Sequence, residues 1–252
     1  MVINEQAKLL NCIEDMIRIC FLSLFIFLLS CVKEKDGYAE PFVPNPPSPP
    51  PPVTINTWLA LGDSYTIGQG VPETDRYPAQ TVTKLKEAGI KIDTLRYIAT
   101  TGWTTNDLLN AIAERKPVNH TIVSLLIGVN DQYQGVDSGV YRRRFREALG
   151  KAISLANGKK ENVFVLSIPD YSVTPYSQFA DTVRIRKELD AFNMINKDET
   201  AQFGCPYLDI TPSTRLGRTQ RDLIAADGLH PSGIEYFKWA KELANLIERA
   251  LK

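Results

Sequence analysis

Apolar runs alternate with amphipathic segments along residues 57–252, and this alternation is the feature that most constrains the fold. Each run is nearly continuous, as in a strand of a sheet that is covered on both faces. The predicted strands are residues 57–63, 92–99, 121–128, 162–169 and 206–210. The predicted helices lie around residues 76–88, 104–115, 137–157, 178–203 and 233–251. This order predicts a parallel sheet with right-handed crossovers, in a three-layer α/β/α domain.

Polar stretches that contain glycine lie where the predicted strands end. The sequence GDSY follows the first strand, TTGWTTND follows the second, GVND follows the third, and DGLHPSG precedes the last helix. In open parallel sheets, ligands bind beyond the carboxyl ends of the strands. We therefore expect all four stretches to lie at one edge of the sheet and to form the functional site.

The chain contains two histidines, so a histidine general base must be one of them. His120 begins the third predicted strand, at the edge opposite the expected site, and we interpret it as a structural or surface residue. His230 follows Asp227 by three residues and lies just before a predicted helix. That helix begins with the pattern of a capping box, with Ser232 as the N-cap and Glu235 three residues later.

Ser64 ends the first apolar run, where the strand must turn. A serine hydroxyl is a weak nucleophile until a base removes its proton, and that base needs an acid to orient it. Ser64, His230 and Asp227 can supply all three groups. The alternative is that Ser64 is an ordinary turn residue or a helix N-cap, because the tripeptide Gly-Asp-Ser is common.

Other chemistries find less support in the sequence. The stretch GDSYTIGQG lacks the Lys-Ser/Thr of a phosphate-binding P-loop and the spacing of GxGxxG. Two histidines and Cys205 show no recognised metal-ligand spacing, so we expect no cofactor and no metal. Lys and Arg together number 29, as do Asp and Glu, so no net charge favours nucleic acid. The basic run RRRFR, residues 142–146, is interpreted as a solvated helix face rather than a nucleic-acid groove.

Four blocks resemble the GDSL-type SGNH hydrolase superfamily. They are ALGDSYTIGQG, TTGWTTNDLL, LLIGVNDQY and DGLHPS, in the family's order, and they cover nearly all of residues 57–252. The resemblance implies a flavodoxin-like five-stranded sheet of order 2-1-3-4-5 and a serine esterase that forms an acyl-enzyme. It implies Ser64 as the nucleophile, His230 as the base and Asp227 as its orienting acid. It also implies an oxyanion hole made by Ser64, Gly102 and Asn130.

The residues themselves support the oxyanion assignment, with alternatives. Gly102 lies two residues before Thr104, a candidate N-cap with Asp107 three residues further on, so its amide lies near a helix start, where negative charge is favoured. Asn130 carries an amide that can donate to a developing oxyanion. A plain turn role remains open for both residues. The neighbours Asp63 and Asp131 are interpreted as hydrogen-bonding residues without a catalytic role.

The substrate is less constrained than the reaction. Short connections leave little room for a lid or a lipid-sized tunnel, which favours an open cleft and small acyl groups. Trp103, Tyr133, Tyr171 and Tyr176 follow strand ends and could stack on a sugar ring, wall an acyl pocket or simply pack. We expect a carbohydrate acetylesterase or another short-acyl esterase. The alternatives are a lysophospholipase or thioesterase, and a non-catalytic envelope lipoprotein that binds glycan.

The first 56 residues differ from the rest in composition. Residues 19–30 are uncharged and apolar, about the length of a signal-peptide core, and they end at LLSC, which resembles a bacterial lipobox. We expect residues 1–30 to be a signal peptide, with the true start possible at Met16, and Cys31 to be lipidated. An uncleaved anchor with an incidental cysteine is the alternative.

Residues 31–56 are rich in proline and are interpreted as a stiff linker, or alternatively as a motif that binds a partner. Such a linker would tether a hydrolase domain, residues 57–252, to a membrane of the bacterial cell envelope through lipid on Cys31. The tethered domain would then face the periplasm or the cell surface.

Overall fold

The structure is a computed structural model that describes residues 55–252. The predicted signal peptide, Cys31 and nearly all of the predicted linker lie outside the described residues. The strands are β1 (Thr57–Gly62), β2 (Thr94–Ala99), β3 (Ile122–Leu126), β4 (Val163–Leu166) and β5 (Tyr207–Leu208). The α-helices are α1 (Ser64–Ile67), α2 (Tyr77–Glu87), α3 (Thr105–Arg115), α4 (Val129–Tyr133), α5 (Ser138–Leu155), α6 (Thr182–Phe203), α7 (Thr211–Thr214) and α8 (Gly233–Leu251). Single 3₁₀ turns lie at Glu73–Asp75, Lys160–Asn162, Tyr171–Val173, Pro175–Ser177, Arg215–Arg218 and Arg221–Leu223.

The five strands form one parallel sheet in the order β2-β1-β3-β4-β5. β1 lies between β2 and β3 and pairs Thr57 with Thr94 on one side and Trp58 with Ile122 on the other. Helices α2 and α8 pack together on one face, whereas α3, α5 and α6 pack together on the other. The predicted three-layer fold and strand order are confirmed.

Strands β3 and β4 end earlier than the apolar runs predict. β4 stops at Leu166, although the run continues to Pro169. The backbone of Ile168 hydrogen-bonds the side chain of Asn193 instead of a neighbouring strand, with its N–H 2.7 Å from Oδ1 and its carbonyl oxygen 3.0 Å from Nδ2. Side chains thus satisfy the backbone at this point, and the chain leaves the sheet to form the site.

Aromatic side chains fill both layers between sheet and helices. On the α2–α8 face, the Tyr236 and Trp239 rings meet edge to face at 4.9 Å, beside the fully buried Tyr77. On the other face, the rings of Tyr141 from α5 and Phe192 from α6 stack at 4.2 Å. Burial on both sides explains why the strands are continuously apolar rather than alternating.

The helix caps agree with the sequence in one case and half agree in another. Thr104 and Asp107 form a complete capping box at the start of α3. At α8, Ser232 accepts a hydrogen bond from the Glu235 N–H at 3.4 Å. The buried Glu235 carboxylate accepts the indole N–H of Trp239 at 2.8 Å and does not reach back to Ser232. The predicted capping box is therefore wrong in its second half.

The basic run in α5 is only in part a solvated face. Arg142 and Arg146 contact the buried carboxylate of Glu199 on α6, at 2.7 and 3.1 Å. Arg143 is exposed and donates to the Gly139 carbonyl one turn earlier. Two of the arginines therefore connect α5 to α6 through a carboxylate that would otherwise be buried without a partner.

No helix within residues 55–252 is both long enough and apolar enough to cross a membrane.

Candidate active site

Ser64 is the first residue of the short helix α1, directly beyond the carboxyl end of β1. Asp63 is the N-cap of this helix, and its Oδ1 accepts the N–H of Tyr65 at 3.0 Å. The alternative in which Ser64 itself caps a helix is therefore wrong. Because Ser64 lies in the first turn, its own N–H has no carbonyl within the helix to bind. Its side chain and its amide are both left available for a ligand.

His230 and Asp227 are joined by hydrogen bonds within one turn of chain. The Nδ1–H of His230 donates to Asp227 Oδ2 at 2.7 Å, and the His230 and Leu229 N–H groups donate to Oδ1 at 3.0 and 2.9 Å. Burial tends to raise the pKa of Asp227, but these three donors outweigh it and hold the pKa below its usual value. The carboxylate orients the ring and leaves Nε2 free to accept a proton.

Ser64, Asn130 and His230 line one cavity of about 100 Å³, which we call the serine cavity. The Tyr65 ring and the buried His230 ring meet in an edge-type contact at 5.4 Å, which helps to hold the imidazole in place. Among the described residues, no hydrogen bond joins Ser64 Oγ to His230. In enzymes without substrate such contacts are often long. The assignment of Ser64 and His230 to one site therefore rests on the cavity that they share.

Asn130 lies in the short helix α4, which follows β3. Its Nδ2 donates to the Trp103 carbonyl at 2.9 Å, which uses one of the two N–H groups of the amide and leaves the other for a ligand. Next to it, the Oδ2 of Asp131 accepts the N–H and the hydroxyl of Thr105, at 2.7 and 2.9 Å. These contacts hold the segments after β2 and β3 against each other.

Gly102 lies in the loop between β2 and α3, one residue before the Trp103 carbonyl that Asn130 contacts. Its φ of +81° is in the left-handed region, and a Cβ built on it would meet no atom within 4 Å. It is exposed and does not line the serine cavity. The structure thus places Gly102 next to the residue that Asn130 contacts, outside the lining of the serine cavity.

Asp63 and Asp131 are buried carboxyl groups beneath Ser64 and Asn130. Burial raises the pKa of Asp63 to about 8; the Tyr65 N–H lowers it and the nearby Asp131 raises it further. Burial also raises the pKa of Asp131, against the opposing hydrogen bonds from Thr105. Their observed contacts are with backbone and hydroxyl groups, as the sequence predicts.

Three of the four aromatic residues that follow strand ends meet at the site. Tyr133, Tyr171 and Tyr176 line the serine cavity. The hydroxyls of Tyr133 and Tyr176 hydrogen-bond each other at 3.1 Å, and the Tyr133 and Tyr171 rings meet at 6.4 Å. Trp103 instead packs under the guanidinium of Arg115, 5.3 Å from its ring centre.

Two residues that the sequence analysis did not single out also position the site. A Cβ on Gly70 would lie 2.8 Å from Asp227 Oδ2, so the glycine leaves the room that the carboxylate occupies. Asp170, buried after β4, accepts from Arg215 Nε at 2.8 Å, in the segment that carries Tyr171. The spaced glycines after Ser64 were a visible signal for Gly70. Asp170 pairs with an arginine 45 residues away and had no local signal.

The other predicted residues lie away from the site. His120 precedes β3 at the opposite edge of the sheet, where its Nδ1–H donates to the Val118 carbonyl at 2.8 Å. It is buried, and so it is structural rather than a surface residue. Within residues 55–252, no three or more His, Cys, Asp or Glu side chains are grouped so as to hold a metal ion.

Comparison with known proteins shows a family match over most of the described residues. A model of the GDSL-like lipase/acylhydrolase family matches residues 60–234, which contain Ser64, Asn130, Asp227 and His230. No curated protein sequence matches the chain.

Several solved structures share the fold at low identity. An esterase, EstA, from Pseudoalteromonas sp. is 17% identical, with 78% of this chain and 98% of that one covered and a TM-score of 0.57. A mutant of an acetyl-xylooligosaccharide esterase from Geobacillus Stearmophilus is 20% identical, with coverages of 76% and 94% and a TM-score of 0.58. A lipase from a goat rumen metagenome is 17% identical, with coverages of 76% and 97% and a TM-score of 0.61. At these identities the likeness concerns the fold.

Proposed function

The chain belongs to the GDSL-like lipase/acylhydrolase family and is an ester hydrolase, and on that basis we propose that it is a serine esterase that removes acetyl or other short acyl groups from carbohydrate. One observation carries the proposal. Ser64, Asn130 and His230 come from three separate segments and line a single cavity of about 100 Å³, with Asp227 hydrogen-bonded behind the histidine.

The proposed reaction passes through an acyl-enzyme. His230 Nε2 takes the proton of Ser64 Oγ as Oγ bonds to the ester carbonyl carbon. The developing oxyanion is stabilised by the N–H groups of Ser64 and Gly102 and by the free amide N–H of Asn130. The alcohol then leaves with the proton from His230, and water, activated by the same nitrogen, attacks the acyl carbon and releases the acid. Asp227 stabilises the imidazolium in both halves.

The size of the serine cavity favours a short acyl group. At about 100 Å³ it is well below the volume of a site that holds a whole drug-sized ligand, which favours an acetyl group over a fatty chain. The similarity in fold to an acetyl-xylooligosaccharide esterase agrees with an acetylated sugar as substrate. A lysophospholipase or thioesterase would have to place most of its acyl chain outside the serine cavity.

Hydrolysis of p-nitrophenyl acetate by single and double variants tests the mechanism. We expect Ser64→Ala and His230→Ala each to remove most turnover, and the double variant to be scarcely worse, because parts of one catalytic unit are not additive. Asp227→Asn should cost less than loss of the base. Ser154→Ala, at an exposed position on α5, is the matched control and should retain full activity.

The outcomes separate the candidate functions. A folded His230→Ala protein with near-normal activity would contradict the mechanism, since His120 lies at the other edge of the sheet. Faster hydrolysis of longer acyl esters would favour a lipase or thioesterase. If the wild-type protein shows no esterase activity, and the Ser64→Ala variant binds glycan as tightly as the wild type, the result would point to a binding protein.

We further propose that the enzyme is held at a membrane of the bacterial cell envelope by lipid on Cys31. The support is the sequence LLSC after an apolar run, followed by a proline-rich segment that ends where β1 begins. An enzyme tethered in this way would act on acetylated carbohydrate that reaches the periplasm or the cell surface.

A further inference from the structure

A second and larger cavity adjoins the serine cavity. It measures about 600 Å³, and we call it the outer cavity. Tyr133, Tyr171 and Tyr176 line both cavities, so the two share a wall made of tyrosines. A volume of this size lies within the range of ligand sites that hold whole small molecules, whereas the serine cavity holds only a reacting group. A bound ester can therefore extend from one cavity into the other.

A continuous row of polar side chains lines the outer cavity. The Tyr171 hydroxyl donates to Gln132 Oε1 at 2.9 Å, Gln132 Nε2 donates to Glu188 Oε2 at 2.7 Å, and Glu188 Oε1 lies 3.8 Å from Arg184 Nη1. An alkyl chain placed here would cover charged groups without giving them a hydrogen bond, which is unfavourable. Hydroxyl groups can donate to the carboxylate and accept from the guanidinium.

Aromatic rings stand at the opening of the same cavity. Phe179 is 94% exposed, and Tyr133 and Tyr176 are more than half exposed. Exposed aromatic rings that are grouped around one cavity, rather than scattered singly, mark a surface that binds a partner or ligand. Flat apolar faces beside a row of hydrogen-bonding groups suit a sugar, which has an apolar ring face and a rim of hydroxyls.

We propose that the outer cavity binds the alcohol part of the substrate, one or more sugar rings, while the acyl group occupies the serine cavity. Glu188 and Arg184 bind sugar hydroxyls, and Phe179 packs against a ring face. This assignment rests on the proposed esterase function and makes it specific, because the enzyme would select its ester by the carbohydrate leaving group and only secondarily by the acyl chain.

The test is a preference ratio, the kcat/KM for acetylated xylobiose divided by the kcat/KM for ethyl acetate, whose two-carbon alcohol cannot fill the outer cavity. We expect Glu188→Gln and Phe179→Ala each to lower this ratio, the former by about tenfold, as for a lost hydrogen bond to a charged group. Glu147→Gln, an exposed glutamate on α5 outside the cavity, is the matched control and should leave the ratio unchanged. Thermal melts confirm that the variants are folded.

An unchanged ratio in both variants would overturn the inference. It would also be overturned if the two variants lost activity selectively on ethyl decanoate, because that result would place the acyl chain in the outer cavity. Failure of the esterase proposal looks different, since the wild-type enzyme would then hydrolyse neither acetate. In that case, titration of Ser64→Ala with xylotriose still decides: binding weakened by Glu188→Gln supports the sugar site, and no binding overturns it.

Discussion

Asp227 uses both carboxylate oxygens on its own turn of chain. Oδ1 accepts the N–H groups of Leu229 and His230, and Oδ2 accepts the imidazole Nδ1–H. Because three residues separate acid and base, local geometry alone brings them together, and the sequence Asp-Gly-Leu-His is enough to predict the pair. The contact with Gly70 is different, since it joins residues 157 positions apart in the chain and depends on the folded edge of the sheet.

Asn130→Ala should lower kcat roughly 100- to 1,000-fold while KM changes little. The free amide N–H acts on charge that develops in the transition state, and so its loss affects the chemical step more than substrate binding. Steady-state kinetics with p-nitrophenyl acetate measure the effect. Asn119→Ala, in the loop before β3, is the control. A rise in KM at constant kcat would mean that Asn130 binds the ground state instead.

Gly70→Ala should lower kcat/KM more than any loss of stability explains. The added methyl group would lie 2.8 Å from Asp227 Oδ2 and displace the carboxylate from His230. Gly89→Ala is a matched control, because its φ of +81° imposes similar strain to the +86° of Gly70 while the new Cβ meets no atom within 4 Å. Equal activities in the two folded variants would show that Gly70 does not position Asp227.

Asp63 should make the protein less stable as pH rises from about 4 towards 8. Its folded pKa of about 8 exceeds its ordinary value of 3.8, so in this range the native state keeps a proton that the unfolded chain releases. The contribution of Asp63 to the free energy of unfolding falls by up to about 1.4 kcal/mol per pH unit. Urea unfolding at pH 5 and pH 7.5 should show a smaller decrease for Asp63→Asn than for wild type. Equal decreases would place the pKa of Asp63 outside this window.

Among the helices, the two that hold Ser64 and Asn130 are too short to show a periodic pattern of apolar residues. Ser64 opens a helix of four residues and Asn130 lies in a helix of five. Periodicity needs a window of about 11 residues or more, so neither helix was predicted. The long helices, by contrast, show repeating apolar faces and were predicted within a few residues. The start of α6 was placed four residues early because Pro175 and its neighbours form 3₁₀ turns and Asp181 caps the helix.

The link between α5 and α6 can be tested through the buried carboxylate of Glu199. Replacing both Arg142 and Arg146 by Ala should lower the free energy of unfolding by about 1–3 kcal/mol, less than the about 3–5 kcal/mol of a fully buried pair. We expect the smaller loss because the two arginine side chains are 41% and 56% exposed, so that solvent already weakens the ion pairs. Urea unfolding measures the change, with Arg143→Ala as the exposed control.

Adding Glu199→Gln to the double variant should recover part of the lost stability, since the unpaired charge is then gone. A double variant as stable as Arg143→Ala would show instead that the three arginines are equivalent on a solvated face.

At the scale of the whole molecule, the sheet directs every proposed catalytic segment to one edge. Parallel strands β1, β2 and β3 end side by side, so the segments after them meet although they are some 30 to 40 residues apart in sequence. The segment that precedes helix α8 lies at the same edge and carries His230. β1 begins at Thr57, at the opposite edge of the sheet.

The proposed lipid anchor makes a prediction about the full chain. Cys31→Ser should block lipid attachment and leave the precursor unprocessed, because the thiol is the group that the lipid would modify. Mass spectrometry and partitioning into detergent measure the outcome, with Cys20→Ser, present from either start, as a control that should retain lipid. Unchanged mass and membrane partitioning in Cys31→Ser would contradict the anchor and favour an uncleaved apolar segment.

The resemblance to a family supplied the strand order and the oxyanion candidates Gly102 and Asn130, whereas the fold class and the candidates Ser64, Asp227 and His230 could be predicted from the residues themselves. These follow from local patterns: apolar runs, turn residues and short spacings, which act within a few residues of chain. Only the folded structure shows which groups share a cavity, which carboxyl groups are buried, and that Glu188, Arg184 and Phe179 line a second cavity beside the first. Those properties arise from contacts between distant segments, since burial and cavity shape depend on how the helices and loops pack against the sheet.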